Sequence, residues 1–335
     1  MTLLDRRRRP LRDLRISVTD RCNFRCTYCM PREHFDKEHT FLSRSDLLSY
    51  EEIQQVVEAL LDAGLQKVRL TGGEPLLRND LTTLIRMLRA SGPHLDLALT
   101  TNGALLAKHA QALHDAGLNR VTVSLDAVDP TVFAAMADTT QVTSEEVLAS
   151  IDAATNVGLP VKVNTVVRRG VNEQEILRIA EECTRRNVPL RFVEFMDVGN
   201  TNRWSLEEVV SGRAVREKLE TVYGPLQAAK GQGPHEVARR FSSAEGHEFG
   251  FINSVTEPFC GACSRARLSA NGSLYTCLFS STGNDLKAML RMGAKPSELH
   301  AAIRSIWTQR DDQYSMERAG LAEPREKVEM SFIGG

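Results

Sequence analysis

No stretch of this sequence approaches the roughly 18 consecutive apolar residues of a membrane-spanning helix, and neither charge sign is in excess. Lys and Arg number 42 against 43 Asp and Glu, a net charge of −1. The first absence predicts a chain with no membrane span, and the second removes any global pull toward nucleic acid or an anionic surface. The local exception, Arg6–Arg9 before Pro10, is no export signal, because "PLRDLRISVTDRC" is too polar for a signal core. It reads as a solvated basic segment. Cysteine is scarce and odd in number, seven in 335 residues. That count, without a signal peptide, argues against a disulfide framework and for a reducing, cytoplasmic setting.

What is present is core-forming material, 42% apolar and 25% charged, ordinary for a globular protein. A weak internal repeat organises it. "DAGLQKVRLTGG" (62–73), "DAGLNRVTVSLD" (115–126) and "NVGLPVKVNTVV" (156–167) share one plan. A helix ends, a Gly caps it, and an apolar residue leads into a strand. "RNVPLRFVEFM" (186–196) repeats the plan without the Gly. Strands are expected near 13–19, 67–71, 95–101, 120–125, 160–167 and 190–196, with helices at 51–63, 79–90, 104–116, 144–157 and 173–186. Six βα units predict an α/β fold, a partial (β/α)6 TIM-type barrel rather than a complete eight-fold one. After about residue 200 the rhythm changes. A helix near 206–222, antiparallel segments in "FGFINSV" and "ARLSANGSLYTCLF" with a hairpin at Asn271–Gly272, and a charged helix over 285–310 are expected. The predicted organisation is a basic segment (1–12), the barrel (13–200) and a C-terminal α+β extension (201–335) covering the barrel mouth.

Barrel strands alternate between a helix-facing and a lumen-facing side. Leu14, Ile16 and Val18 oppose Arg15 and Ser17; Val68 and Leu70 oppose Lys67, Arg69 and Thr71. Val161 and Val163 oppose Lys162 and Asn164, and Arg191 opposes Leu190 and Phe192, while Thr100 and Ser124 point the same way. Four strands thus aim cations at one lumen. Buried unpaired cations are expensive, so a polyanion, most simply a polyphosphate, is the expected ligand.

Six cysteines form two triplets, Cys22, Cys26 and Cys29 (C-x3-C-x2-C) and Cys260, Cys263 and Cys277 (C-x2-C-x13-C); Cys183 sits alone in a helical pattern and reads as core. The first triplet follows the first strand, at the carboxyl end where barrel catalysis resides. Structural zinc wants four ligands, for which His34, His39, His235 or His247 would have to serve. A four-iron cluster on three thiolates keeps one iron open.

The first triplet with Tyr28 before its last cysteine, followed by "TGGEPLL" (71–77), resembles the radical S-adenosylmethionine (SAM) superfamily. With "LTTNG", "SLDA", "VKVNTVV", "RFVEFM", the second triplet around "SRAR" and a terminal Gly-Gly, essentially the whole chain is similar to the GTP 3′,8-cyclase family of molybdenum cofactor biosynthesis. The resemblance implies two [4Fe–4S] clusters, on Cys22, Cys26 and Cys29 and on Cys260, Cys263 and Cys277. It implies SAM contacts from Tyr28, Gly73, Ser124 and Met196, although Met196 lacks the parity of Arg191. It places Arg15, Arg69, Thr100, Lys162, Arg191, Arg265 and Arg267 around GTP, with Arg15, Arg265 and Arg267 catalytic. A 5′-deoxyadenosyl radical would take the C3′ hydrogen of GTP, and C3′ would then bond to guanine C8. The Gly-Gly tail would enter the site. Flavodoxin or ferredoxin would donate electrons, cyclic pyranopterin monophosphate synthase would receive the product, and a homodimer is compatible; neither nucleic acid nor membrane is a partner. The rival readings are a two-cluster radical SAM enzyme modifying a peptide, and a zinc-stabilised nucleotide-binding protein without catalysis.

Overall fold

In the computed structural model, residues 2–230, 233, 236–320 and 325–334 are described. The six expected βα units are all present. They run β1 (Asp13–Ser17), α1 (Tyr50–Leu61), β2 (Lys67–Thr71), α2 (Leu81–Ser91), β3 (Asp96–Thr101), α3 (Leu106–Asp115) and β4 (Arg120–Ser124). Then come α4 (Pro130–Ala137), α5 (Ser144–Asn156), β5 (Val161–Val167), α6 (Ile176–Arg185) and β6 (Leu190–Glu194). Local chemistry explains the boundaries. Ser49 with Glu52 and Thr143 with Glu146 form capping boxes that start α1 and α5. The repeat glycines Gly64, Gly117 and Gly158 take φ of +94°, +91° and +80° where α1, α3 and α5 end. In the repeat that lacks Gly, Asn187 adopts φ +54° and does the same work. Helix α4 is absent from the sequence reading, yet its signal was there: Pro130 in the first turn, and Asp129 accepting from the Thr131 and Val132 amides.

Strands β1 to β6 are parallel neighbours in chain order. Leu14, Ile16, Val68, Leu70, Val121, Val123 and Val163 are buried in the apolar core, on the side the alternation assigned to the helices. The chain beyond residue 200 adds α7 (Gly212–Tyr223), β7 (Gln227–Ala228), β8 (Arg239–Ser242), β9 (Glu248–Ile252), β10 (Arg265–Leu268), β11 (Ser273–Tyr275) and β12 (Asn284–Asp285). Helices α8 (Lys287–Arg291), α9 (Pro296–Gln309), α10 (Tyr314–Glu317) and α11 (Met330–Ile333) follow.

Three expectations change here. The predicted helix over 206–222 begins at Gly212, because Ser211 caps it and Leu206–Glu208 forms a separate single turn. The single helix over 285–310 is two, broken at Gly293 (φ +78°) and restarted by Pro296. The segments expected to be antiparallel are only half so. β9 pairs antiparallel with β8 but parallel with β6, and β10 pairs antiparallel with β11 but parallel with β1. Both raw edges of the six-stranded sheet thereby acquire a partner, giving the order β12-β11-β10-β1-β2-β3-β4-β5-β6-β9-β8-β7.

Between β9 and β10 lie only residues 253–264, folded into two turns by Glu257 N–H to Asn253 O and Cys263 N–H to Cys260 O bonds. Laid flat, the strands they join would stand about 34 Å apart at the usual 4.8 Å spacing. So tightly turned a segment joins them because the sheet curls into a partial barrel. Among the described residues, no helix is long and apolar enough to cross a membrane.

Candidate active site

The curl encloses a cavity of about 630 Å³ lined from every strand between β1 and β6, and every site residue expected from the sequence lines it. Tyr28, Gly73, Ser124 and Met196 are there, with Arg15, Arg69, Thr100, Lys162, Arg191, Arg265, Arg267 and all six triplet cysteines. Met196 reaches the wall despite its parity because β6 ends at Glu194 and strand alternation no longer applies beyond it.

The lumen cations divide into two groups. Lys67 pairs with Asp13 (3.4 Å), Arg120 with Asp96 (2.5 Å), and Arg240 with Glu236 and Glu248 (2.8 and 3.1 Å). Arg15, Arg69, Lys162, Arg191, Arg265 and Arg267 have no carboxylate partner among the described residues. Burial pushes Arg15 down to about 9, with Arg265 and Arg69 adding repulsion, and pushes Arg69 down to about 10 and Lys162 to about 8. Arg191 and Arg267 are lowered for the same reason. Arg69 Nη1 donates to Thr100 Oγ1 (2.9 Å) and Thr122 Oγ1 (3.1 Å), and the Nε atoms of Arg15 and Arg191 are buried without a partner. Such a wall is held against its own repulsion and fits a multiply charged anion.

Cys22, Cys26 and Cys29 lie in the loop after β1, at the carboxyl ends of the strands. Burial, with Glu74 adding repulsion, pushes the Cys22 thiol up to about 11; burial also raises Cys26, repelled by Cys22 and Cys29, and Cys29, repelled by Cys22. The second triplet lies at the other end. In the β1–β10 register Asp13 stands opposite Arg265, so Cys260 and Cys263, just before β10, sit at the amino end of β1. β11 runs back along β10 with Tyr275 opposite Arg267, which returns Cys277 to the same place. There the Cys263 thiol, which burial alone would raise, is lowered to about 6 by Arg265 (Nη2–Sγ 3.4 Å) and Arg310. Burial raises Cys277 to about 11.

Among the described residues no three His, Cys, Asp or Glu side chains converge as one bound ion would require. His34 and His39 line a separate cavity with Asp20 and Glu329, and His235 lies outside the described residues. This geometry does not favour mononuclear zinc. Three free thiols at each end are a donor set that fits an iron–sulfur cluster with one uncovered iron.

Sequence reasoning passed over several supports. Glu74 of the Gly-Gly-Glu-Pro turn is buried and accepts from Leu76 N–H (3.0 Å), Thr101 Oγ1 (2.8 Å) and Asn102 N–H (2.8 Å); burial pushes it up to about 7. A Cβ on Gly73 would strike the Arg21 carbonyl, which is why the turn can lie against the cysteine loop. Asp126 accepts from the Tyr28 hydroxyl (2.7 Å) and Val166 N–H (2.8 Å), and burial lifts it to about 6. Asn102 Nδ2 faces Cys22 Sγ at 3.8 Å. Asn102 and Asp126 belong to "LTTNG" and "SLDA", so the motifs carried the signal. At the tail, Arg267 Nη1 donates to the Gly334 carbonyl. Gly334 has φ +79°, and a Cβ on it would strike Thr71 Cγ2. Gly335 lies outside the described residues.

Residues 16–183 match the radical SAM superfamily and residues 188–316 match the family described as Molybdenum Cofactor Synthesis C. A GTP 3′,8-cyclase of Acidothermus cellulolyticus is 47% identical over 98% of this chain and 97% of its own. One of Staphylococcus aureus (strain JH9) is 42% identical over 99% of this chain and 98% of its own. Among solved structures, Streptococcus suis SuiB bound to S-adenosylmethionine superposes with TM-score 0.63 over 89% of this chain and 69% of its own, at 14% identity. Methylornithine synthase (PylB) does so with TM-score 0.51 over 64% of this chain and 63% of its own, at 16% identity. These two likenesses concern the fold.

Proposed function

The chain belongs to the radical SAM superfamily and, within it, to the GTP 3′,8-cyclases, and from that premise we propose that it converts GTP to 3′,8-cyclo-7,8-dihydro-GTP, the first step of molybdenum cofactor biosynthesis. The observation that carries the reading is the pairing of two three-thiol sets at opposite ends of one cation-walled cavity. Cys22, Cys26 and Cys29 would hold the [4Fe–4S] cluster that binds SAM, and Cys260, Cys263 and Cys277 a second cluster beside the guanine. When bound, the reduced first cluster and SAM supply the hydrogen-abstracting radical at C3′ of GTP.

The chain's own share is placement. Tyr28, Gly73, Ser124 and Met196 would flank SAM, with Asp126 fixing the Tyr28 hydroxyl and Glu74 fixing the turn around Gly73. Arg69, Lys162 and Arg191, with Thr100, would grip the triphosphate, relieving the repulsion described above. Arg15, Arg265 and Arg267, closest in register to the second triplet, would hold the nucleotide so that C3′ faces the first cluster and C8 lies within reach of C3′. The enclosed wall keeps water from the reacting carbon. The tail at Gly334 would complete the wall beside Arg267. A flavodoxin or ferredoxin as reductant, cyclic pyranopterin monophosphate synthase as recipient, a cytoplasmic setting and a homodimer complete the proposal.

The test is anaerobic incubation of the reconstituted chain with SAM, GTP and reductant. We expect 5′-deoxyadenosine and a cyclised nucleotide together. Replacing Cys277 with Ala should spare the first and abolish the second. 5′-Deoxyadenosine without nucleotide product from the wild-type chain would refute the cyclase reading, and bound zinc without iron would refute the radical one.

A further inference from the structure

The arginine run before Pro10 is solvated, as its composition predicts, at three of its four positions and buried at the fourth. Arg6, Arg7 and Arg8 are exposed, but Arg9 is buried, at 2% exposure. Its partner Asp5 is buried as well, and its carboxylate takes four donors. Oδ1 accepts from the Arg7 and Arg9 amides (2.9 and 2.8 Å), and Oδ2 accepts from Arg9 Nε (2.7 Å) and Arg310 Nη1 (3.2 Å). The two guanidiniums then turn to the second cysteine triplet. Arg9 Nη1 donates to the Cys260 carbonyl (2.9 Å) and the Asp312 carbonyl (2.8 Å), and Arg310 Nη1 donates to the Cys263 carbonyl (2.9 Å). Thr276, the neighbour of Cys277, donates to Asp312 Oδ2 (2.6 Å). Trp307, at the end of α9, fixes the arrangement from behind. Its Nε1–H donates to the Arg9 carbonyl (3.2 Å), and the Arg310 guanidinium lies 4.5 Å over its ring.

We propose that Asp5, Arg9 and Arg310 form a clamp that positions Cys260, Cys263 and Cys277 for the second cluster, so that the N-terminal segment is part of that cluster's retention. The proposal rests on the reading that this triplet holds a cluster. A buried ion pair contributes little net stability by itself, so its worth must lie in what its spare donors hold. Here those donors reach two of the three cysteines through their own carbonyls, and the third by way of Asp312, whose carboxylate accepts from Thr276 beside Cys277. Three thiolates that must meet one cluster from two chain segments need their backbones fixed before the metal arrives. The clamp closes on the backbone and leaves every sulfur free for the cluster.

The experiment is iron counting and electron paramagnetic resonance on the full chain after anaerobic reconstitution. The variants are Asp5→Asn, Arg9→Gln, Arg9→Lys and the exposed control Arg8→Gln. We expect the wild type and Arg8→Gln to hold about eight irons per chain and Asp5→Asn and Arg9→Gln about four. The second cluster's signal should vanish while reductive SAM cleavage persists. Arg9→Lys keeps the charge beside Asp5 but not the forked donors, and should lose the second cluster too; a role confined to the ion pair would be rescued by it. Eight irons in Asp5→Asn and Arg9→Gln would overturn the clamp. So would parallel loss of both clusters and of SAM cleavage, the mark of general unfolding. Four irons in the wild type would overturn the two-cluster reading itself, and the clamp with it.

Discussion

Replacing Arg69 with Gln should cost the empty chain little stability and make its nucleotide binding much worse. Arg69 is 7% exposed, has no carboxylate partner among the described residues, and is held down to about 10 by burial. At 1.36 kcal/mol per tenfold change in proton affinity, keeping it charged in the cavity costs roughly 3 kcal/mol. The sign is fixed by linkage. The folded state binds its proton less tightly than the unfolded state, so the penalty is fully present at neutral pH and fades only as pH rises above about 10. Against its removal stand the two charge-assisted bonds to Thr100 and Thr122, each contributing about 1.5–3 kcal/mol. The expected balance is a loss of at most about 3 kcal/mol, measured as a denaturant midpoint without GTP that is unchanged or lower. With GTP the loss deepens, because a charge-assisted bond to phosphate contributes about 1.5–3 kcal/mol, a loss of roughly 10-fold to 150-fold in affinity. Calorimetric titration with GTP and with guanosine reads the contrast. Equal losses for both ligands, or a variant destabilised by more than about 3 kcal/mol without GTP, would refute the reasoning.

Three further outcomes follow from the same wall and its surroundings. Lys162 is held down to about 8 by burial, so it is charged below that pH and neutral above it. KM for GTP should therefore rise between pH 7 and 9, and Lys162→Arg should flatten the profile. Glu74→Gln turns an NH2 toward donors that now bond a carboxylate, and should cost about 2 kcal/mol in thermal unfolding and weaken SAM binding. Gly334→Ala forces a side chain into a left-handed backbone, about 1–2 kcal/mol, and against Thr71. It should slow cyclisation at least tenfold while SAM cleavage without GTP proceeds unchanged.

Much of this was legible because it is local. The two-residue period of the strands placed Arg15, Arg69, Thr100, Lys162 and Arg191 in one lumen before any coordinate did, since a pleat leaves a side chain only two directions. Left-handed Gly residues marked the C-terminal ends of α1, α3 and α5 within a residue or two. What stayed hidden was contact across sequence distance. The alternation gave no hint that β9 and β10 extend opposite edges of one sheet, because edge pairing depends on backbone groups that carry no residue signature. Arg9 looked solvated because the Cys260 and Asp312 carbonyls it holds lie 251 and 303 positions away. Met196 seemed misplaced only while β6 was drawn two residues too long.

The pairing of β1 with β10 also sets a timetable. As the chain leaves the ribosome, β1 appears almost first, yet the strand that covers its outer edge is the tenth to emerge. β6 waits likewise for β9. For most of synthesis the nascent barrel carries an unsatisfied hydrogen-bonding margin on each side, the condition under which chains adhere to one another. Completion therefore comes in one late event, when residues 248–268 cross the gap and seal both margins. The same crossing carries Cys260 and Cys263 into place, so placement of two of the second triplet's three cysteines and closure of the sheet are a single step. A fragment ending near residue 200 should consequently aggregate rather than persist as a smaller barrel.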